Sequence, residues 1–272
     1  MAVPLRSPFR YPGGKTWLVP YVRLWLKRRH AATKELIEPF AGGAIVSLTA
    51  AFEKLAKRVA MVECDEEVAA VWRTIFSKDA NWLAERIATF EMTTATASAV
   101  IEKRPISTRE RAFATILKNR VNHGGILAPG AGLLKHGENG KGVLSRWYPQ
   151  TLKKRILAIA LVKDKINFIE GDAFKVMEAN ISRSDVVFFI DPPYTKAGRR
   201  LYRYSEIDHP ALFDLAARCA GDFLMTYDDA AEIRALADRH NFAVRSVAMK
   251  STHHEKKTEL LISLNLDWVP YE

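Results

Sequence analysis

Val186-Val187-Phe188-Phe189-Ile190-Asp191-Pro192-Pro193-Tyr194 is the stretch whose reading decides the fold. Five apolar, β-branched or aromatic residues in a row suit a strand buried on both faces of a sheet, and the prolines must end it. A carboxylate, two stiff residues and an aromatic ring are thereby set at the carboxyl end of a strand, where open α/β sheets place their ligand sites. Proline fixes its own φ and pushes the residue before it toward extended geometry, so the backbone carbonyls here are nearly immobile. A planar amine could donate one hydrogen bond to Asp191 and another to the Pro192 carbonyl while its ring stacks on Tyr194. That suits chemistry at an exocyclic amino group of a nucleobase. The plain alternative is a proline-terminated strand with an N-capping aspartate.

Working outward, helices and strands alternate on both sides of a different middle. Thr16 to Arg29 reads as a basic amphipathic helix, 36–38 as a short strand, 45–52 as a helix, 59–62 as a second strand and 66–76 as another helix. From Asp79 to Lys118 the pattern is helical without strands, and 119–142 is a glycine-rich stretch too long for an ordinary connection. Alternation resumes with strands at 166–169, 186–190 and 223–227, a helix at 230–240, and two final strands, 242–249 and 259–266, joined by a polar hairpin loop. The expected architecture is one Rossmann-like α/β domain built from 1–76 and 156–272, with a mainly helical insertion at 77–155.

Three further constellations carry chemistry. In Glu38-Pro39-Phe40-Ala41-Gly42-Gly43 a strand runs into a glycine pair that opens a helix, allowing close backbone approach to a ligand. The full G-x-G-x-x-G pattern is absent, which argues against a pyrophosphate cofactor and leaves a nucleoside cofactor without phosphates open. The second strand ends in Glu63-Cys64-Asp65, where an acidic residue can accept from both hydroxyls of a ribose. In Tyr11-Pro12-Gly13-Gly14-Lys15-Thr16 a phosphate-loop reading fails, because that motif needs glycine where Phe9 stands and a strand before it. Tyr11 and Lys15 at the mouth of a cofactor pocket, or a helix N-terminus near a nucleic-acid phosphate, are better readings. Asp172, after the strand 166–169, could accept from an adenine amino group or cap a helix.

Composition bounds the rest. Lys and Arg number 41 against 31 Asp and Glu, a net charge of +10, which favours a polyanionic partner. With 48% apolar residues and a mean hydropathy of −0.12 the chain reads as globular, and no apolar run approaches the roughly 20 residues that span a bilayer. Two cysteines, Cys64 and Cys219, exclude a disulfide framework, suit a reducing cytoplasm, and are expected to be buried small hydrophobes. His253-His254 lacks any metal-ligand spacing, so no metal is expected.

Tyr11-Pro12-Gly13-Gly14-Lys15, Glu38-Pro39-Phe40-Ala41-Gly42-Gly43, Asp65, Gly171-Asp172 and Asp191-Pro192-Pro193-Tyr194 stand in the order found in Dam-type adenine-N6 DNA methyltransferases, which this chain resembles over most of its length. The resemblance implies S-adenosyl-L-methionine as methyl donor and a seven-stranded sheet whose last strand is antiparallel. It also implies that the middle insertion is a target-recognition domain. Tyr11, Lys15, Asp65 and Asp191 match cofactor-contacting positions. With the strand-end residues read above, the cofactor set becomes Tyr11, Lys15, Glu38, Phe40, Gly42, Gly43, Asp65, Asp172 and Asp191. The catalytic segment is Asp191, Pro192, Pro193 and Tyr194. The middle region departs from the part of Dam that reads GATC, so the resemblance carries no target sequence.

The expected activity is methyl transfer to adenine N6 in double-stranded DNA after the base is swung out of the stack. Candidate DNA contacts are Arg120, Asn122, Lys135, Lys141, Arg146, Arg199, Arg200 and Arg203, joined by Lys153, Lys154 and Arg155; Asn119, Arg120, Asn122 and Gln150 could read base edges. A restriction–modification setting with a cognate nuclease is a compatible context. Cytosine N4, an RNA base or a protein glutamine also present a planar NH2, and a non-catalytic DNA-binding relative is the reading from another class.

Overall fold

The computed structural model describes residues 3–10, 13–29, 33–194, 203–204, 206–250 and 256–270. After a 3-10 turn at Lys15–Leu18 come helix α1 (Val19–Arg29), strand β1 (Glu35–Glu38), α2 (Ile45–Glu53), β2 (Arg58–Glu63) and α3 (Glu66–Phe76). Four helices follow with no strand between them among the described residues: α4 (Ala80–Ala88), α5 (Thr94–Glu102), α6 (Thr108–Val121) and α7 (Pro149–Ala160). Alternation then resumes as β3 (Ile166–Glu170), α8 (Ala173–Asn180), β4 (Val186–Ile190), α9 (His209–Ala217), β5 (Asp222–Asp228), α10 (Ala231–Arg239), β6 (Ala243–Lys250) and β7 (Lys256–Ser263).

The strands form one seven-stranded sheet in the order β3-β2-β1-β4-β5-β7-β6. The pairs β1–β2, β2–β3, β1–β4 and β4–β5 are parallel, and β7 runs antiparallel to both β5 and β6. This is the Rossmann-like sheet with a reversed last strand that was expected. The order leaves β1 toward β3 on one side and toward β5 on the other, so the carboxyl ends of β1 and β4 flank a switch point where a crevice opens.

The apolar run of β4 alternates between two cores. Val187 and Phe189 join a cluster with α1 to α3 and the helical middle; Val186, Phe188 and Ile190 join the other with α9 and α10. All five are buried, which is why the run is unbroken. The first cluster continues without a gap from Val187 and Phe189 to Leu83, Phe113, Trp147 and Ile156, so the residues of 77–155 share a core with the sheet. Position 155 lies inside α7, which runs on to Ala160.

Three sequence expectations shift. Pro20, without an N–H, sits in the first turn of α1, so the helix read from Thr16 is a 3-10 turn followed by a helix. Strand β7 spans 256–263 rather than 259–266, because its ladder with β6 runs from Ala243↔Ser263 to Lys250↔Lys256. Cys64 is exposed and Cys219 half-buried, so neither is the buried small hydrophobe expected. Among the described residues no helix is long and apolar enough to cross a membrane.

Candidate active site

A cavity of about 950 Å3 opens at the carboxyl ends of β1, β2, β3 and β4. Asp191 and Pro193 line it; Pro192 is buried and Tyr194 half-buried beside them. The Asp191 carboxylate is held on one oxygen. Oδ1 accepts from the Thr226 hydroxyl at 2.8 Å and lies 3.0 Å from Lys15 Nζ. Lys15 is 3% exposed. Its ammonium donates to the Tyr194 hydroxyl at 2.7 Å and the Gly13 carbonyl at 3.0 Å, and reaches Glu259 at 3.4 Å. Four oxygens around one buried ammonium satisfy the requirement that a desolvated charge be paired. The Tyr194 ring is backed by Tyr227, stacked at 6.2 Å, and the Tyr227 hydroxyl meets His209 Nδ1 at 3.1 Å. Burial raises the Glu259 carboxyl while the Lys15 charge opposes the shift.

One end of the cavity is acidic. The carboxyl of Glu38 is buried and accepts from the Ser47 backbone N–H at 2.8 Å. Desolvation raises its pKa to about 8 against those hydrogen bonds. Glu63 accepts from the N–H of Gly42 and of Asp65, each at 2.9 Å, tying the loop after β1 to the loop after β2, and burial raises it to about 7. Gly42 has φ 46°, a left-handed conformation that glycine adopts without strain. Asp65 caps α3 and Asp172 caps α8, each through one carboxylate oxygen, and both line the cavity. Of the two readings for Asp172, the cap is thus present. Phe40 stands edge-on to Phe174 at 6.5 Å, giving an apolar wall between the acids.

This donor set fits the implied cofactor. A sulfonium nucleoside with a free amino group brings positive charge, which buried carboxyls held above their ordinary range would welcome, and a nucleoside needs ribose acceptors and a flat apolar wall. Glu38, Glu63, Asp65, Asp172, Phe40 and Phe174 supply these.

The other end is basic. Arg10, Arg120, Arg146 and Arg155 line it. Arg120 is 4% exposed; it donates to the Pro8 carbonyl, and its Nε is buried without a hydrogen-bond partner among the described residues. Burial first, and then the charges of Arg155, Arg10 and Arg146, lower its pKa to about 9. Burial and neighbouring guanidinium charge also lower Arg10. Among the described residues no carboxylate pairs with Arg10, Arg120 or Arg155. A polar, cationic pocket end of this kind suits a phosphate.

Several candidate contacts land elsewhere. Asn122, 2% exposed, donates to the Ile126 carbonyl, and Asn119, wholly buried, donates to the carbonyls of Arg10 and Gly125; both brace backbone and cannot reach a base edge. Arg203 pairs with Glu66 at 2.6 Å and Glu67 at 2.5 Å, at the acidic end. Lys153 pairs with Glu85 at 2.6 Å. Lys135 and Lys141 are exposed and do not line the cavity. Lys15 is turned toward Asp191 and Tyr194 as well as lining the pocket. Tyr11, Arg199 and Arg200 lie outside the described residues, as do His253 and His254; no metal-holding cluster occurs among the described ones.

Glu63, Thr226, Glu259 and Phe174 were not among the sequence candidates. Glu63 had a signal, since it directly precedes Cys64-Asp65 at the strand end. Thr226 and Glu259 had none, because each is an ordinary strand residue until the sheet order places it beside the end of β4.

No protein-family model and no curated protein sequence matches the chain. Solved structures similar to it in backbone course include the following three. A protein described as a candidate RNA methyltransferase from Pyrococcus horikoshii is 13% identical, with TM-score 0.41 over 94% of this chain and 84% of that one. An uncharacterized protein from Listeria monocytogenes serotype 4b is 8% identical, with TM-score 0.37 over 89% of this chain and 65% of its own. The rRNA methyltransferase aviRa from Streptomyces viridochromogenes is 12% identical, with TM-score 0.34 over 89% and 84%. At such identities the likeness concerns the course of the backbone and nothing of the chemistry.

Proposed function

We propose that the protein transfers a methyl group from S-adenosyl-L-methionine to the N6 amino group of adenine in double-stranded DNA. The observation that carries this reading is the Asp191 carboxylate, of the Asp191-Pro192-Pro193-Tyr194 segment, lining a cavity that also takes in a group of acids and a group of arginines. The acidic end suits a cationic donor, the basic end suits the phosphate chain of a nucleic acid, and the acceptors of the Asp191-Pro192 corner suit a planar amine.

When bound, the cofactor supplies an electrophilic methyl group. The rest of the chemistry is positioning. Extruding a base costs a few kcal/mol, and stacking on Tyr194 returns about 1–3 kcal/mol of that. The Asp191 carboxylate and the Pro192 carbonyl accept the two amine hydrogens, which favours a pyramidal nitrogen with its lone pair directed away from the ring. Holding that geometry is where much of the acceleration arises. The amine loses one proton for each methyl gained, and Asp191 is the acceptor at hand. The Lys15 ammonium, 3.0 Å from Oδ1, is the cation paired with this carboxylate.

The test is methyl transfer by purified protein from labelled donor to unmethylated genomic DNA, with RNA and protein as parallel acceptors and the modified product identified. The expected product is N6-methyladenine in DNA, and Asp191→Ala lowers turnover by roughly 100-fold or more, as loss of a proton acceptor does. Label in RNA, in protein or at cytosine N4, or turnover near wild type in Asp191→Ala, overturns the reading.

A further inference from the structure

The geometry points to Thr226 as a positioning residue for Asp191, an inference that rests on the methyl-transfer reading above. Parallel pairing sets Ile190 opposite Met225, so the next residue of β5, Thr226, comes beside Asp191 as the chain leaves β4. Thr226 is wholly buried, and its hydroxyl donates to Asp191 Oδ1 at 2.8 Å. A β-branched residue in a strand has restricted χ1 freedom, so this hydroxyl is aimed before substrate arrives. Lys15 Nζ lies against the same oxygen at 3.0 Å. Both contacts thus fall on Oδ1, which fixes the carboxylate plane and leaves Oδ2 uncommitted by either of them on a residue that lines the cavity. Oδ2 is then the oxygen that meets the target amine.

The next residue completes the arrangement. Tyr227 projects to the opposite face of β5 and backs the Tyr194 ring at 6.2 Å. Two adjacent residues of one strand therefore set the two working parts of the Asp191-Pro192-Pro193-Tyr194 segment, the carboxylate from one face and the ring from the other. Asp191 and Tyr194 remain the groups that touch substrate, and Thr226 acts only through Asp191.

Thr226→Val keeps the shape and removes the hydroxyl, whereas Thr226→Ser keeps the hydroxyl. With saturating donor and DNA, single-turnover methyl transfer is expected to fall roughly 10- to 100-fold in Thr226→Val, the worth of one charge-assisted hydrogen bond, and to stay within about 3-fold in Thr226→Ser. Donor affinity by calorimetry and the thermal midpoint are expected to match wild type in both. The double variant Asp191→Ala/Thr226→Val is expected to be no slower than Asp191→Ala alone, since two residues acting as a unit are not additive. Transfer by Thr226→Val close to wild type, an equal loss in Thr226→Ser, or a parallel loss of donor affinity overturns the inference while the methyl-transfer reading stands. A wild-type protein that methylates no DNA overturns both.

Discussion

Glu38 and Glu63 are buried carboxyls, and their protonation carries a pH signature. Burial raises them from an ordinary value of 4.5 to about 8 and about 7 respectively. A carboxyl whose folded pKa lies above its unfolded one contributes stability that is complete below about 4.5 and is lost as pH rises through about 7 to 8. The protein without cofactor should therefore melt at lower temperature at pH 9 than at pH 6. Glu38→Gln keeps an acceptor for the Ser47 N–H and removes the titration. It is expected to be more stable than wild type at pH 9 by on the order of a few kcal/mol and about equal at pH 5, while binding the cationic donor more weakly. Melting curves across that range, paired with calorimetry of donor binding, check both halves. An advantage for the variant that does not grow with pH would show that this carboxyl does not titrate in the fold.

At the scale of elements, helix α6 ties the inserted helices to the active site. Asn119, in its last turn, accepts from the Arg10 N–H at 2.8 Å and donates to the Arg10 carbonyl at 3.0 Å and the Gly125 carbonyl at 2.7 Å. It thereby holds the Arg10 backbone at both its N–H and its carbonyl. Gly125 has φ 76°, and a Cβ there would meet the Arg10 carbonyl at 2.4 Å, so this crossing needs glycine. Asn119→Ala leaves three backbone groups without that partner and is expected to cost about 2–4 kcal/mol, read as a drop in the urea midpoint at unchanged m-value. The sequence shows β4, β5 and the strand-end acids well, because unbroken apolar runs and the residues closing them are local signals. It misplaces Asn119 as a base reader because its partner Arg10 lies 109 positions away, and Asn122 because the loop after α6 folds back so that its amide is spent on the Ile126 carbonyl four residues on. Thr226 and Glu259 stay hidden for the same reason: the order β4-β5-β7 makes them neighbours of Asp191 and Lys15.

Across the whole molecule, charge is separated rather than merely in excess. The net charge of +10 does not say where a polyanion would lie, and basic residues named from sequence alone divide by position. Arg203 and Lys153 are neutralised by glutamates, whereas Arg10, Arg120 and Arg155 face the cavity with no paired carboxylate among the described residues. Each cation that neutralises a phosphate releases counterions and steepens the dependence of log K on log salt by about 0.9 in duplex DNA. Arg146 and Arg155 are half-buried cavity residues, whereas Arg120 is so enclosed that its loss would also disturb the fold around Pro8. The double variant Arg146→Ser/Arg155→Ser is therefore the cleaner probe. Its DNA-binding slope is expected to be shallower than wild type by about 2, with donor affinity unchanged because the acidic end is untouched. Arg203→Ser is the opposite case: it removes the guanidinium shared by Glu66 and Glu67 near Asp65, so donor affinity changes while the salt slope holds. Titrating DNA at several salt concentrations in both variants separates the two ends of the cavity. Equal slopes for wild type and the Arg146/Arg155 variant would mean that the polyanion binds elsewhere on this basic chain.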